Sequence, residues 1–208
     1  MLKLILVRHA ITEDNKGCKL SGHIDSILSE EGKKQIKDLN KFLQLEKIDK
    51  IYTTTSSRTK YTVEEIAQER NIEIIEKDTL KEISFGDFEG LDFNEIKDRY
   101  PDEFQKMIDE GYNYRYPNGE SLVDSYNRVV KEIKDIVNNN DNKNILICSH
   151  GGTIRNILTY LISNSYNYHW NFRIDNCSVT TLEIDNGFAV INNMNDTSFL
   201  NSWQNCLS

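Results

Sequence analysis

Two of the four histidines stand beside groups that bind anions. His9 directly follows Arg8 at the end of a short apolar run. His150 ends a second apolar run and precedes Gly151 and Gly152. A neutral imidazole attacks phosphorus, a guanidinium forms paired hydrogen bonds with phosphate oxygens, and free amides at a helix start bind anions. One histidine in such a place is more often structural, but two with these neighbours favour phosphoryl chemistry.

Two further positions would complete a phosphoryl-transfer site. Arg58 opens a predicted helix just after a short strand and would add a second cation, although alone it is more simply a solvated helix residue. Glu82 follows the third predicted strand and is a candidate to protonate a leaving group. Spacing alone leaves Asp87 and Glu89 as rival acids.

The elements that must position these residues alternate between short β-like runs and helical patterns. Strands are predicted at 4–7, 51–54, 72–75 and 145–148, and helices at 29–43, 56–67, 121–137 and 151–162. A hairpin closes the chain, with strands at 179–184 and 188–191 around Asp185-Asn186-Gly187. This alternation predicts an α/β fold, a three-layer α/β/α sandwich with a mostly parallel central sheet. Ligands in such folds bind at the carboxyl ends of the strands.

The middle of the chain has a different pattern. It is irregular, contains both prolines and many aromatic residues, and shows a capping box at Asp92 and Glu95. We predict a helical lid insertion at about 83–120 within a single domain spanning 1–208. Tyr112 and Arg115 are candidates for an aromatic and cationic substrate wall, and simple packing of the lid by its tyrosines is an equal alternative.

Composition bounds the class of protein. The 208 residues are 38% hydrophobic and 28% charged, which is typical of a soluble globular chain. A net charge of -8 disfavours nucleic acid as a partner, and no apolar run is long enough to cross a membrane. The four cysteines form no CxxC pair, so a structural metal is not expected. The apolar N-terminal run is too short for a signal peptide, and we expect a cytoplasmic protein.

Five motifs occur in sequence order: Arg8-His9 with Asn15 and then Gly22, Asp25, Leu28 and Gly32; the run from Thr53 to Arg58 with Thr62; Glu82 with Phe85-Gly86 and Glu89-Gly90; Asn118-Gly119-Glu120-Ser121; and Ser149-His150-Gly151-Gly152 with Arg155. On these motifs, the chain over about residues 3–200 resembles the histidine phosphatase superfamily, the phosphoglycerate-mutase-like proteins, and within it the α-ribazole and broad-specificity phosphatases. The chain departs from the pattern at Ala10, where glycine is usual, at Ile11, where an acid is usual, and at Phe199, where the α-ribazole relatives often have histidine.

The resemblance implies a role for each matched position. His9 would become phosphorylated, Glu82 would donate the proton, and three groups would hold the phosphate, namely Arg8, Arg58 and His150. No metal or other cofactor is implied. The further substrate-binding or phosphate-binding candidates are Asn15, Ser21, Gly22, Tyr112, Arg115, Glu120 and Gly151. His23 is expected to be a solvated loop residue, and His169-Trp170 a packing pair.

The implied activity is metal-independent hydrolysis of a small phosphorylated metabolite through a phosphohistidine. Cofactor-dependent mutase-type transfer and a non-catalytic phosphate-binding module remain alternatives. The family's mutases usually carry a longer segment after the proton donor, and a shorter lid leaves the phosphoenzyme open to water. Members that act on phosphohistidine proteins tend to lack the lid. The physiological substrate and the oligomeric state, a homodimer included, stay open.

Overall fold

The computed structural model describes residues 1–200; residues 201–208, which include Cys206, lie outside the described part. A six-stranded sheet has the order β3-β2-β4-β1-β5-β6. The strands are β1 Leu2–Arg8, β2 Lys50–Thr53, β3 Ile74–Glu76, β4 Asn144–Ser149, β5 Val179–Asp185 and β6 Phe188–Asp196. The first four are mutually parallel, β5 is antiparallel to β1, and β6 is antiparallel to β5. The predicted mostly parallel sheet is confirmed.

Helices cover the sheet and form the lid. They are α1 Glu13–Lys16, α2 Glu30–Leu43, α3 Ser57–Arg70, α4 Phe93–Arg99, α5 Pro101–Glu110, α6 Leu122–Asn138 and α7 Gly151–Ser163. Short 3₁₀ turns lie at Asp78–Leu80, Gly86–Phe88, Gly111–Asn113 and Tyr166–Asn171. In the described residues no helix has the length and apolar character needed to span a membrane.

The central strand β1 shows why the fold has three layers. Its side chains alternate between the two faces of the sheet, as the pleat requires. Leu4 and Leu6 pack in one cluster with the apolar residues of α6 and α7. Ile5 and Val7 pack in a second cluster with those of α2 and α3. All four side chains are buried, so a strand apolar on both faces has helices on both sides.

Local sequence signals set the helix starts. The Ser29 hydroxyl accepts a 3.0 Å hydrogen bond from the Gly32 amide and caps α2. The capping box predicted at Asp92 and Glu95 is present, with bonds of 2.8 and 3.0 Å. Both predictions are confirmed because caps depend on residues only three positions apart.

The third strand is shorter than predicted. Asn71 ends α3 in the left-handed conformation, with φ of 51°, and the Ile72 amide bonds back to the Ala67 carbonyl at 2.9 Å. Ile72 therefore belongs to the helix-ending turn, and pairing with β2 begins at Ile74.

The lid has its own small core. Phe88, Ile96 and Tyr114 are buried together, and partly buried neighbours surround them: Leu20, Phe85, Leu91, Phe104, Met107 and Tyr116. The segment 83–120 thus contains α4, α5 and two 3₁₀ turns, as expected for a helical insertion. It lies against the carboxyl end of the sheet, where the candidate catalytic residues converge.

Candidate active site

His9 lies at the carboxyl end of β1, where its amide bonds to the Ser149 carbonyl of β4 at 2.9 Å. Its Nδ1 lies 2.8 Å from the Ala10 carbonyl oxygen. A carbonyl can only accept, so Nδ1 carries the hydrogen and Nε2 carries the lone pair. Burial, followed by the charges of Arg58 and Arg8, holds the pKa of His9 well below 6.5. The imidazole is therefore neutral and nucleophilic at Nε2.

His150 faces His9 from the end of β4. The ring centroids are 5.3 Å apart and the rings meet edge to face. The Nε2 of His150 lies 3.2 Å from the Thr54 hydroxyl, at the end of β2. Burial first, then the charge of Arg58, lowers the pKa of His150 well below 6.5. A bound phosphate dianion would act in the opposite direction and raise this pKa.

The Arg8 side chain is held by a backbone carbonyl in the loop before β5. Its Nη1 donates to the Ile174 carbonyl at 2.7 Å. Burial lowers the pKa of Arg8 to about 10, so the guanidinium keeps its charge near neutral pH. A Cβ built on Gly151 would lie 3.4 Å from the Arg8 guanidinium carbon. The candidate phosphate-binding residue Gly151 therefore lies directly against Arg8.

Arg58 is buried near the start of α3 and is held by the first loop of the chain. Its Nη1 donates to the Ile24 carbonyl at 2.8 Å and its Nη2 to the Gly22 carbonyl at 2.7 Å. Gly22 has a positive φ of 46°, where a side chain would be strained, and an added Cβ would overlap the Glu89 carboxylate. Gly22 thus orients Arg58 through its carbonyl.

Three buried side-chain nitrogens at this place have no partner. Within residues 1–200, the buried side-chain nitrogens without a hydrogen-bond partner are Arg8 Nε, Arg58 Nε and His150 Nδ1. Buried polar groups are normally paired. Both arginine charges act on both histidines, so the four groups are electrostatic neighbours. Such a cluster fits an anion with several acceptor oxygens.

Glu82 is oriented by the start of α7. Its Oε2 accepts from the Gly152 amide at 2.9 Å, and its Oε1 accepts from the Ile83 amide at 3.1 Å. Arg128 holds the backbone of this loop, with donor bonds to the Lys81 and Glu82 carbonyls of 3.1 and 3.2 Å. The carboxylate therefore has a fixed position beside the helix start that follows His150.

The rival acids have other partners. Glu89 accepts from the His23 and Ile24 amides, each at 2.9 Å, and so organises the loop that holds Arg58. Asp87 accepts from the Asn118 side-chain amide at 3.1 and 3.0 Å. Of the three acids, Glu82 is the one that contacts the helix start beside His150.

The comparison with known proteins agrees with this geometry. The family model of the histidine phosphatase superfamily (branch 1) matches residues 4–197. The chain belongs to this superfamily. Phosphoserine phosphatase 1 of Hydrogenobacter thermophilus is 34% identical over 200 residues, covering 96% of this chain and 95% of that protein. Adenosylcobalamin/alpha-ribazole phosphatase of Salmonella typhimurium is 26% identical and covers 93% of this chain and 96% of that protein.

A solved structure shows the same fold. YhfR of Bacillus stearothermophilus superposes with a TM-score of 0.88 at 28% identity, covering 96% of this chain and 100% of that chain. Membership of the histidine phosphatase superfamily places the chain in a phosphatase enzyme family. Among residues 1–200, no group of three or more histidine, cysteine or acidic side chains could hold a metal ion.

The first loop of this histidine phosphatase contains two further candidates. The side-chain Oδ1 of Asn15 accepts from the Thr12 amide and from the Asn176 side-chain amide, which also donates to the His9 carbonyl at 3.2 Å. Asn15 is therefore linked to His9 indirectly, through the side chain of Asn176. Ser21 donates to Asp14 at 3.3 Å and braces the same loop.

Two other candidates lie away from the anion-binding donors. Glu120 forms a 2.6 Å ion pair with Arg128. Burial raises the pKa of Glu120, but the Arg128 hydrogen bonds and charge outweigh it, so the carboxyl stays ionised. Arg115, expected in the substrate wall, instead pairs with Asp124 at 2.6 Å on the surface and does not line the cavity. A nearby acid on α6 and exposure to solvent explain this correction.

A cavity of about 380 Å³ adjoins the catalytic cluster at Glu82 and Gly152. Its other walls come mainly from the lid and from the turn after α7: Phe93, Met107, Tyr112, Tyr116, Arg155, Asn156, His169 and Trp170. Tyr112, a candidate for the substrate wall, is thus one of the residues that line this cavity.

The turn at Tyr166–Asn171 contains the predicted packing pair His169-Trp170, and the two rings do meet edge to face with centroids 4.7 Å apart. His169 is buried and bonded through Nδ1 to Asn156 at 2.9 Å. Trp170 is also 64% exposed and lines the cavity, which the sequence did not indicate. The sequence analysis did single out Arg155, in the last motif, and its guanidinium carbon lies 5.2 Å from the Trp170 ring centroid.

Proposed function

We propose that the chain is a metal-independent phosphomonoesterase that hydrolyses a small phosphorylated metabolite through a phosphohistidine on His9. One observation carries the proposal. His9, neutral with Nδ1 bonded to the Ala10 carbonyl, is the electrostatic neighbour of Arg8 and Arg58 and lies edge to face with His150, and each of these three residues has a buried side-chain nitrogen without a partner: Arg8 Nε, Arg58 Nε and His150 Nδ1. The two guanidinium nitrogens can donate to phosphate oxygens, and His150 can do so from Nδ1 when a bound phosphate dianion favours its protonated form.

In the first step His9 Nε2 attacks the phosphorus of the bound monoester in line. A P–N bond forms while the P–O bond to the alcohol breaks. Charge builds up on the non-bridging oxygens, where the fixed donors of Arg8, Arg58 and His150 stabilise it. Glu82 gives its proton to the departing alkoxide.

In the second step water attacks the phosphohistidine. Glu82, now a carboxylate, takes a proton from the water, the P–N bond breaks, and inorganic phosphate leaves. His9 returns to its starting state with Nδ1 still bonded to the Ala10 carbonyl. The two arginines supply the positive charge that a metal ion supplies in other phosphatases.

Two facts support a small metabolite as the substrate. The relatives are named for the phosphate esters phosphoserine and α-ribazole phosphate. The cavity beside Glu82 has room for a small alcohol group. The lid between Glu82 and Gly119 is short, which favours hydrolysis over transfer to a second substrate.

The decisive experiment measures hydrolysis of p-nitrophenyl phosphate in excess EDTA, together with protein labelling from a radiolabelled monoester that is quenched in alkaline detergent. We expect EDTA-insensitive turnover and an acid-labile, base-stable phosphoryl label that His9→Ala abolishes. Lys33→Ala, on the exposed face of α2, serves as the control. Activity that EDTA removes and His9→Ala leaves intact would overturn the mechanism. Phosphate appearing only on an added acceptor would favour a mutase, and phosphate binding without turnover a binding module.

A further inference from the structure

We propose that the cavity beside Glu82 is a leaving-group subsite for an aromatic alcohol, and that Trp170 determines this specificity. The inference rests on the proposed function, and it names the substrate class. It predicts that phosphoserine, the substrate in the name of a 34% identical relative, is a poor substrate of this enzyme.

The position of the cavity assigns it to the leaving group. It shares Glu82 and Gly152 with the catalytic cluster, and Glu82 is the proton donor to the departing oxygen. The alcohol part of a bound monoester must therefore extend into this cavity. An apolar cavity of about 150 Å³ holds benzene. The 380 Å³ available here accommodates a ring with a short linker.

The lining favours an aromatic ring. Phe93 and Trp170 line the cavity although they are 49% and 64% exposed, which leaves ring surface uncovered. Aromatic surfaces gain from stacked and edge-to-face contacts with another ring. The buried polar groups of the floor bond to one another instead: His169 to Asn156 at 2.9 Å, and Asn156 to Ser125 at 3.2 Å. These groups therefore do not require a polar ligand.

Trp170 is held in place by Arg155. The Arg155 Nε donates to the Phe172 carbonyl at 2.9 Å, and its guanidinium carbon lies 5.2 Å from the Trp170 ring centroid. A cation against one part of the ring system restricts the motion of an otherwise exposed side chain. The indole is thus a pre-positioned wall for a ligand ring.

The charges of the cavity oppose an amino group on the alcohol. Among the described residues that line it, Glu82 is the single carboxylate, and Glu82 serves the leaving oxygen. Arg155 adds a positive charge to the same wall. The ammonium of phosphoserine would lose water there without gaining an anionic partner. An uncharged aromatic ring has no such cost.

The test compares kcat/KM for 2-phenylethyl phosphate, ethyl phosphate and phosphoserine. We expect 2-phenylethyl phosphate to exceed ethyl phosphate by about 100-fold, from the apolar area that a phenyl ring buries. Phosphoserine should fall below 2-phenylethyl phosphate by at least about 10-fold. Trp170→Ala should reduce the phenylethyl-to-ethyl ratio to below about 10. Trp170→Phe should keep most of the preference.

Tyr168→Ala is the matched control, because Tyr168 is an exposed aromatic residue of the same turn that does not line the cavity. It should keep the wild-type ratio. A wild-type ratio near one, a preference for phosphoserine, or equal losses for all substrates in Trp170→Ala would overturn the subsite. If no monoester is hydrolysed, the proposed function fails on its own. Calorimetric titration with 2-phenylethylphosphonate and ethylphosphonate then decides the subsite, which fails if the two bind equally.

Discussion

The Gly152 amide and the Glu82 carboxylate form a 2.9 Å hydrogen bond between residues 70 positions apart. The bond joins the loop after β3 to the first turn of α7, directly after His150. It fixes the proposed proton donor relative to the donors that we propose for the phosphate. A helix start has free backbone amides, and one of them makes this bond.

Gly152→Ala should impair catalysis through Glu82. A Cβ at this position would overlap Glu82 Oε1 and push the carboxylate aside. Because displacement by about 1 Å can cost about 100-fold, we expect kcat to fall by about 10-fold to 100-fold. Gly17→Ala is the control, since a Cβ at this glycine after α1 meets only ordinary contacts of 3.6 Å and should change kcat by less than about threefold. Equal effects of the two variants would contradict the proposed role of this bond.

Arg58→Ala should remove a phosphate donor and loosen the first loop together. We expect kcat/KM to fall by about 100-fold to 1000-fold, the cost of losing one fixed donor to a charged transition state. Arg58→Lys should not restore activity, because the single ammonium of lysine lacks the planar fork that donates to both carbonyls from Nη1 and Nη2 and keeps Nε for the phosphate. Arg99→Ala, an exposed arginine paired only with Glu95, is the control and should keep wild-type kinetics. Wild-type kcat/KM in Arg58→Lys would exclude the proposed geometry.

The acid limb of the pH profile should lie below the ordinary range of histidine. Burial and the two arginine charges lower the pKa of His9, so the nucleophile stays neutral as pH falls through 6.5. Because kcat/KM reports the free enzyme, its acid limb should appear well below pH 6.5. The measurement is kcat/KM from pH 4.5 to 8, corrected for the second pKa of the substrate near about 6. An acid limb at or above 6.5 would mean that His9 is not desolvated as described.

Stability should also fall on mild acidification. His9, His150 and His169 are all buried with lowered pKa values, that of His169 to about 3 through burial and then Arg155. Below pH 6.5 the unfolded chain binds these protons and the folded chain does not, so the free energy of unfolding rises with pH. Each such histidine contributes up to about 1.4 kcal/mol per pH unit in this window.

Urea unfolding at pH 7.0 and 5.5 tests this dependence. We expect a lower free energy of unfolding at pH 5.5, and a smaller difference in His169→Asn, which removes one of the three protons. Inorganic phosphate should reduce the difference as well, because a bound anion favours protonated His150. A free energy of unfolding that does not change between these pH values would contradict the buried, neutral histidines.

Much of this arrangement could be predicted from short stretches of sequence. The apolar runs before Arg8-His9 and before His150 predict buried strands, and parallel strands bring their carboxyl ends to one edge. The caps at Ser29 and Asp92 depend on residues three positions away. The placement of His9, His150 and Arg58 at one sheet edge therefore follows from local pattern and topology, helped by the family resemblance.

Other features required the tertiary structure. Spacing along the chain does not rank the three candidate acids, Glu82, Asp87 and Glu89. Their roles are separated by long-range contacts: Glu82 bonds to Gly152, 70 residues away, and Glu89 bonds to His23, 66 residues away. Arg115 matched the expected chemistry of a substrate wall, but the fold pairs it with Asp124.

The sequence by itself determined which residues could carry phosphoryl chemistry and which edge of the sheet would hold them, because strand and helix patterns are local. Only the tertiary structure determined the tautomer of His9, which buried nitrogens have no hydrogen-bond partner, and the cavity that Trp170 lines. Those features depend on which distant backbone carbonyls and rings come into contact, and no spacing along the chain specifies such contacts.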